Sequence, residues 1–343
     1  MTITRSALRW AAVGAAGLFA VSTLSACSTD GGGEASGDKG LIGVVLIIQA
    51  DEQGQRVLKA VEKRAGELGY GTTVVDAQYD PTKASAAIDT FINQDVAGIV
   101  TFATDNELLA PKLAAAGEAD IPVVAITGGP VVPGILWSMD NPEEEYAEAL
   151  ATELFTAVQE GDRAQTVVEM ILPDAVPCRR REVGFDQAAA KFPDIKVEKY
   201  KIDGNNAVAS ANNHFQQYLG ANPDIGGIVA CWDIPMVGAL TAAETVGVGP
   251  FPAAGINGSS QLVQEMQAGN PYIIGEVGVA LAQAGIDAVD AIDKTLKGED
   301  AGVPEGGYST VTWGIFTPDN MPADGGVELD EWLPKGWDPD YWK

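Results

Sequence analysis

From Leu41 onward the sequence alternates short apolar runs with longer amphipathic stretches. The run LIGVVLII at 41–48 is apolar at every position, which suits a parallel strand buried on both faces. Behind it, Val57, Val61, Ala65 and Leu68 fall on one helical stripe that Gly69 stops. The alternation continues through strand TTVVDA, a helix from Lys83 to Asn93, strand GIVTF, a helix from Asn106 to Ala116 and strand IPVVAIT. A second series opens with a helix from Pro142 to Val158, whose first turn places three glutamates at the positive end of the helix dipole. Strands TVVEMIL, KVEKYKI, GGIVAC and PAAGIN then alternate with helices at 180–191, 207–219, 235–246 and 259–268. Strand YIIGEV, an amphipathic helix from Ala280 to Leu296 and a late strand STVTWGIFT complete the pattern. Such alternation predicts an α/β protein of two doubly wound parallel-sheet lobes. Ligands of such sheets sit at the carboxyl ends of the strands, which singles out the loops at 49–55, 103–106, 127–130, 173–181, 203–206, 232–234, 257–260 and 276–278.

The amino terminus follows a different pattern. Arg5 and Arg9 precede an apolar stretch from Trp10 to Leu24, and Leu24-Ser25-Ala26-Cys27 follows. The stretch is too short and too rich in Ala and Gly for a membrane span and reads as an export signal over residues 1–26. The Leu-Ser-Ala-Cys order resembles the lipobox of bacterial lipoproteins, which implies that Cys27 becomes a lipidated first residue; the competing reading is an ordinary secretory peptide cleaved nearby. Residues 27–39, rich in Gly, Ser and acids, read as a flexible tether. Both readings place the protein outside the cytoplasm, and an acylated Cys27 would hold it to the membrane through its lipid.

Composition narrows the function. The 343 residues hold 48 Asp and Glu against 21 Lys and Arg, a net charge of −27, which repels phosphate backbones and argues against nucleic acid. One histidine, His214, and three separated cysteines leave no zinc-binding spacing and no pattern for a catalytic triad. No phosphate loop of the GxxxxGK kind is present, so neither a cofactor nor ATPase chemistry is indicated.

The ordered segments VEKRAGELGY, VVDAQYDPTKASAAIDTFINQDVAGIV, PCRRREVGFDQAAAKFPDIKV, YLGANPDIGGIVACWD and AAGINGSSQLVQEMQAG resemble the type I periplasmic binding proteins of the ribose-binding kind, the solute receptors of ABC importers. The resemblance spans about Gly40 to Thr317. It implies two lobes joined by a three-segment hinge: 40–139 plus 278–317 as one lobe, 140–277 as the other, with crossings near Ser138–Asn141, Val277–Gly278 and Phe316–Asp319. It also implies that Arg179 donates hydrogen bonds to sugar hydroxyls. Asn257, Trp232, Asp233 and Glu276 occupy further ligand positions of the second lobe. In the first lobe Asp51-Glu52-Gln53-Gly54 stands where the family has Asn-Pro-Phe-Phe, so that Gln53 and Gly54 replace its stacking aromatics; Thr127 stands where it has an acid, and Phe102 where it has an Asn; Asn206 lies on another cleft loop. These departures leave the fold expectation intact and remove a ribose-like specificity.

Several residues admit two roles. Trp232 either stacks on a sugar ring or packs beneath the cleft lip, and Asp51 and Asn257 either meet the ligand or cap the helices that follow them. The alignment with the family brings Cys178 and Cys231 side by side, so an exported chain is expected to bridge them, with two buried thiols as the alternative. Residues 318–343 form a Trp-rich tail, with Trp332, Trp337 and Trp342 expected to pack on a lobe or, alternatively, to meet a permease. Together these readings describe a monomeric binding protein, not an enzyme, that captures a sugar, polyol or sugar acid and passes it to an ABC permease. A ligand-sensing lipoprotein of the same fold and an exported α/β enzyme are the alternatives.

Overall fold

The computed structural model describes residues 37–320. The export signal, Cys27, most of the tether and the Trp-bearing tail lie outside the described residues.

Twelve strands form two six-stranded sheets among the described residues. The first contains β1 (Leu41–Leu46), β2 (Gly71–Asp76), β3 (Gly98–Phe102), β4 (Val123–Ile126), β5 (Ile135–Asp140) and β11 (Tyr308–Thr310), in the order β11-β5-β4-β3-β1-β2. The second contains β6 (Thr166–Ile171), β7 (Lys196–Lys201), β8 (Gly227–Ala230), β9 (Ala253–Asn257), β10 (Ile273–Val279) and β12 (Trp313–Phe316), in the order β12-β10-β9-β8-β6-β7. All pairings are parallel except β10 with β12. The fully buried patterns of β3, β4, β8 and β9 explain why these strands read as apolar runs.

The helices are α1 (Glu52–Leu68), α2 (Pro81–Asn93), α3 (Asn106–Glu118), α4 (Glu143–Glu160), α5 (Val176–Ala189), α6 (Ala207–Ala221), α7 (Ile234–Val246), α8 (Ser260–Gln267) and α9 (Leu281–Lys297). Gly69, Gly247 and Gly298 close α1, α7 and α9 in the left-handed conformation, freeing each helix end to turn back into the sheet. Lys39, at the end of the expected tether, joins the fold: its backbone N–H donates to the Gly69 carbonyl and its ammonium pairs with Asp293 at 3.2 Å.

Three segments link the lobes. The chain leaves β5 at Asp140 for α4, which packs on the second sheet, and leaves β10 for α9, which packs on α1 and the first sheet. The third crossing differs from the expectation. STVTWGIFT is not one strand: β11 pairs with β5 in the first sheet, and β12 pairs with β10 in the second. The crossing therefore falls at Val311–Thr312 rather than near Phe316–Asp319, and Trp313–Phe316 together with Gly278–Val279 belong to the second sheet. Strand β5, ILWSMD, also has no counterpart in the hydropathy reading, because three of its positions are only half-buried.

Candidate functional site

A cavity lies between the lobes at the carboxyl ends of both sheets. The first lobe lines it with Asp51 and Gln53 at the start of α1, Tyr79 after β2, Phe102 and Ala103 at the end of β3, Thr127 after β4 and Asn141 after β5. The second lobe supplies Leu172, Cys178, Arg181, Trp232 and Asn257. Tyr79, Ala103, Thr127 and Asn257 all have positive φ, at 58°, 55°, 53° and 120°. Such conformations cost about 1–3 kcal/mol each and gather where strand ends are bent to aim a side chain; Thr127, being β-branched, is the most strained.

The arginine of the site is Arg181, not Arg179. Helix α5 starts at Val176, four residues before the expected start, so residues 179 and 181 sit on a helix about 200° apart around its axis. Cys178, Arg181, Phe185 and Ala188 form the buried stripe. Arg179 faces outward, its side chain 44% exposed, and pairs with Asp105 of the first lobe at 2.7 Å while donating to the Pro173 carbonyl. Arg181 is 4% exposed. Its Nε donates to Glu143 at 2.5 Å, one terminal nitrogen donates to the Cys231 carbonyl at 2.6 Å, and the other donates to the Tyr146 hydroxyl at 3.0 Å. Tyr146 donates in turn to Glu143, whose other oxygen accepts from Asn141 at 3.1 Å. Glycine at 184 permits this arrangement, since a Cβ there would collide with the Glu144 carbonyl and hold α5 away from α4. The guanidinium charge is thus balanced by a buried carboxylate, while two of its five N–H donors are left for a ligand.

Cys178 and Cys231 are joined as a disulfide with Cα atoms 5.2 Å apart. The bridge ties the first turn of α5 to the end of β8, the two segments that carry Arg181 and Trp232. Trp232 is 6% exposed and lines the cavity, so burial beneath the lip and contact with the cavity coexist at this residue.

Asp51 precedes α1, and its carboxylate lies beside the N–H groups of the helix's first turn while lining the cavity. Desolvation in the cleft raises its pKa against the pull of the Gln53 and Gly54 N–H groups, with Glu52 adding to the rise and Arg181 opposing it. Gln53 is buried and donates across the cleft to the Asn257 carbonyl at 3.0 Å, but its Oε1 has no partner. Thr127 Oγ1 and Asn141 Oδ1 are likewise buried without partners, so three polar atoms on the first-lobe wall await hydrogen bonds.

Asp233 and Glu276 are fully buried but do not line the cavity. Asp233 accepts from the Ser259 N–H and so holds the loop between β9 and α8. Glu276 lies mid-strand in β10, and Gly255 sits beside both acids, where a side chain would meet Asp233 Cβ and Glu276 Oε1. Burial raises the Asp233 pKa to about 7 against the pull of the Ser259 N–H, and burial followed by the charge of Asp233 raises that of Glu276 well above its ordinary value. Asn206 is exposed, donates to Asp203 at 3.1 Å, and lines an outer cleft that shares Asp51, Tyr79 and Trp232 with the inner cavity. The expected positions Asp51, Gln53, Phe102, Thr127, Trp232 and Asn257 therefore meet at one cavity, whereas Arg179, Asp233, Glu276 and Asn206 stand outside it. Tyr79, Asn141 and Arg181 were missed as site residues. For Arg181 the usable signal was its place in phase with Cys178, Phe185 and Ala188.

A model of the periplasmic binding protein domain matches residues 42–300. The chain is 27% identical over 244 residues to the ribose import binding protein of Salmonella typhimurium, covering 69% of this chain and 78% of that one. It is 28% identical over 307 residues to the xylitol-binding protein of Mycolicibacterium smegmatis, covering 88% and 83%. Among solved structures, the 5-methylthioribose transporter solute binding protein from Thermotoga lettingae superposes with a TM-score of 0.75 at 20% identity, covering 86% of this chain and 91% of that one. A solute binding protein from Agrobacterium vitis with bound allitol gives 0.72 at 23% identity, covering 82% and 96%. The chain belongs to the periplasmic binding protein family, beside members that are import binding proteins for sugars and polyols.

Proposed function

We propose that this protein is an extracytoplasmic receptor that closes its two lobes on a neutral sugar or polyol and delivers it to an ABC permease. One observation carries the reading: the cavity between the lobes offers unpartnered polar atoms on one wall, spare guanidinium donors on the other, and aromatic surfaces at Phe102, Tyr79 and Trp232. Such a mixture suits a ring with polar edges and apolar faces. The names of its relatives, which bind ribose and xylitol, support the same solute class. A sugar acid fits less well, because Arg181 is already neutralised by Glu143 and Asp51 adds a negative charge to the wall. We read the protein as a receptor rather than an enzyme because its relatives are named as binding proteins.

The first lobe needs the ligand to satisfy its polar atoms, and that is the differential affinity that makes the closed state the bound one. Acylation at Cys27 would keep the receptor, a monomer, beside its permease. A thermal-shift screen of pentoses, hexoses, polyols and sugar acids tests the solute class: a neutral member at a hundred times its Kd should stabilise the fold by about 2.7 kcal/mol. A screen in which only sugar acids stabilise would overturn it. Metabolic labelling with an alkyne fatty acid tests the anchor: wild-type protein should incorporate label and Cys27→Ser should not.

A further inference from the structure

Beside the inner cavity lies a second compartment, which shares Ile47, Tyr79 and Ala103 with it as a common wall. The two compartments differ in which of their polar groups are already partnered. The inner one presents buried polar atoms that lack partners. In the second, every charged group is already engaged. Asp80 caps α2 through the Thr82 N–H at 2.8 Å; Asp105 caps α3 through the N–H groups of Glu107 and Leu108 and also pairs with Arg179; and Asp174 pairs with Lys201 at 2.8 Å. One buried polar atom remains unpartnered there, the Thr104 hydroxyl. The rest of the lining is hydrocarbon and ring, from Ala84 and Leu109 on the first lobe to Val176 on the second.

The compartment is made by closure. Its walls come from both lobes, and the Arg179–Asp105 pair spans its outer side at 2.7 Å. Leu108 stands at its rim with 64% of its surface exposed, a large apolar side chain on the first turn of α3. Water in such a space has few groups to bond with, so an apolar occupant gains by displacing it.

Resting on the proposed function, we infer that the ligand is a sugar carrying an apolar substituent, such as an alkyl or aryl glycoside. The hydroxylated ring fills the inner cavity, and the substituent passes Tyr79 and Ala103 into the second compartment, with a linking oxygen within the province of Thr104. The bipartite cleft thus selects on the substituent as well as on the ring.

The test is titration calorimetry of the full mature chain with ribose, xylose, arabinose, glucose and galactose, each as the free sugar and as its methyl, butyl and phenyl glycosides. At least one butyl or phenyl glycoside should bind ten or more times tighter than its free sugar. Ala84→Leu, which fills the second compartment, should erase that preference while leaving the free-sugar Kd within about twofold. Leu108→Ala, at an exposed rim position that the fold does not need, should reduce the preference about threefold. Free sugars that bind while all glycosides are rejected, or a preference that survives Ala84→Leu, would overturn this inference and leave the receptor function standing. Failure of every free sugar and every glycoside to bind would overturn both.

Discussion

The two walls of the cleft are built on different principles. On the second lobe the groups that face the cavity are locked before any ligand arrives. Arg181 is held by Glu143, Tyr146 and the Cys231 carbonyl, the Cys178–Cys231 bridge fixes the segment beneath it, and Asp233 pins the Ser259 loop. On the first lobe, Thr127 Oγ1 and Gln53 Oε1 have no partner. A preorganised wall loses little entropy when ligand lands on it, and a wall with unmet hydrogen bonds gains most when the lobe closes over that ligand. The second lobe is therefore suited to first capture, and the first lobe to closure and discrimination.

The largest effect should come from breaking the locked wall. Arg181→Ala leaves Glu143 buried without its cation, which should cost about 3–5 kcal/mol of stability. Chemical denaturation reads this directly, and sugar binding should disappear with it. Removing the bridge by Cys178→Ser with Cys231→Ser opens a link across a sequence separation of 53 residues. The chain-entropy relation puts that loss at about 4 kcal/mol, with affinity falling less than in Arg181→Ala because the ion pair survives.

A smaller effect distinguishes the buried acids from the cavity wall. Asp233 in the folded protein holds its proton up to about pH 7, against an ordinary value of 3.8. The folded state therefore binds a proton that the unfolded state has released, and Asp233 contributes a fall in stability as pH rises from about 4 through 7. Thermal melting across that range should show the fall, and Asp233→Asn should flatten it. The smallest effect belongs to Arg179. Its exposed pair with Asp105 is of a kind worth about 0.2–1 kcal/mol, so Arg179→Ala should weaken sugar affinity less than about fivefold in calorimetry; a loss as large as that of Arg181→Ala would contradict the assignment.

Much of this molecule was legible in its sequence because buried parallel strands leave apolar runs and helices leave stripes. The strands from Leu41 to Asn257 and their carboxyl-end loops emerge from that periodicity, and six of the expected ligand positions share one cavity. The failures have a common cause in phase and boundary. Arg179 came from the family pattern, whereas the phase of α5 turns Arg181 inward beside Cys178 and Phe185. The run STVTWGIFT hid a change of sheet at Val311–Thr312, because both halves are extended and no turn residue separates them. Glu276 looked available because its strand was expected to end at Val277, whereas β10 continues to Val279 and buries it.

The central claim is that one ligand is held by both lobes, and calorimetric titration of a neutral sugar into wild type, Thr127→Val and Trp232→Ala tests it most directly. Thr127→Val removes a hydroxyl that has no protein partner, so it should leave the fold stable and weaken binding about tenfold. Trp232→Ala removes a buried aromatic contact and should weaken binding about thirtyfold. The account predicts one-to-one binding in wild type and a loss from each lobe. Tight binding that responds to a change in only one lobe would contradict it.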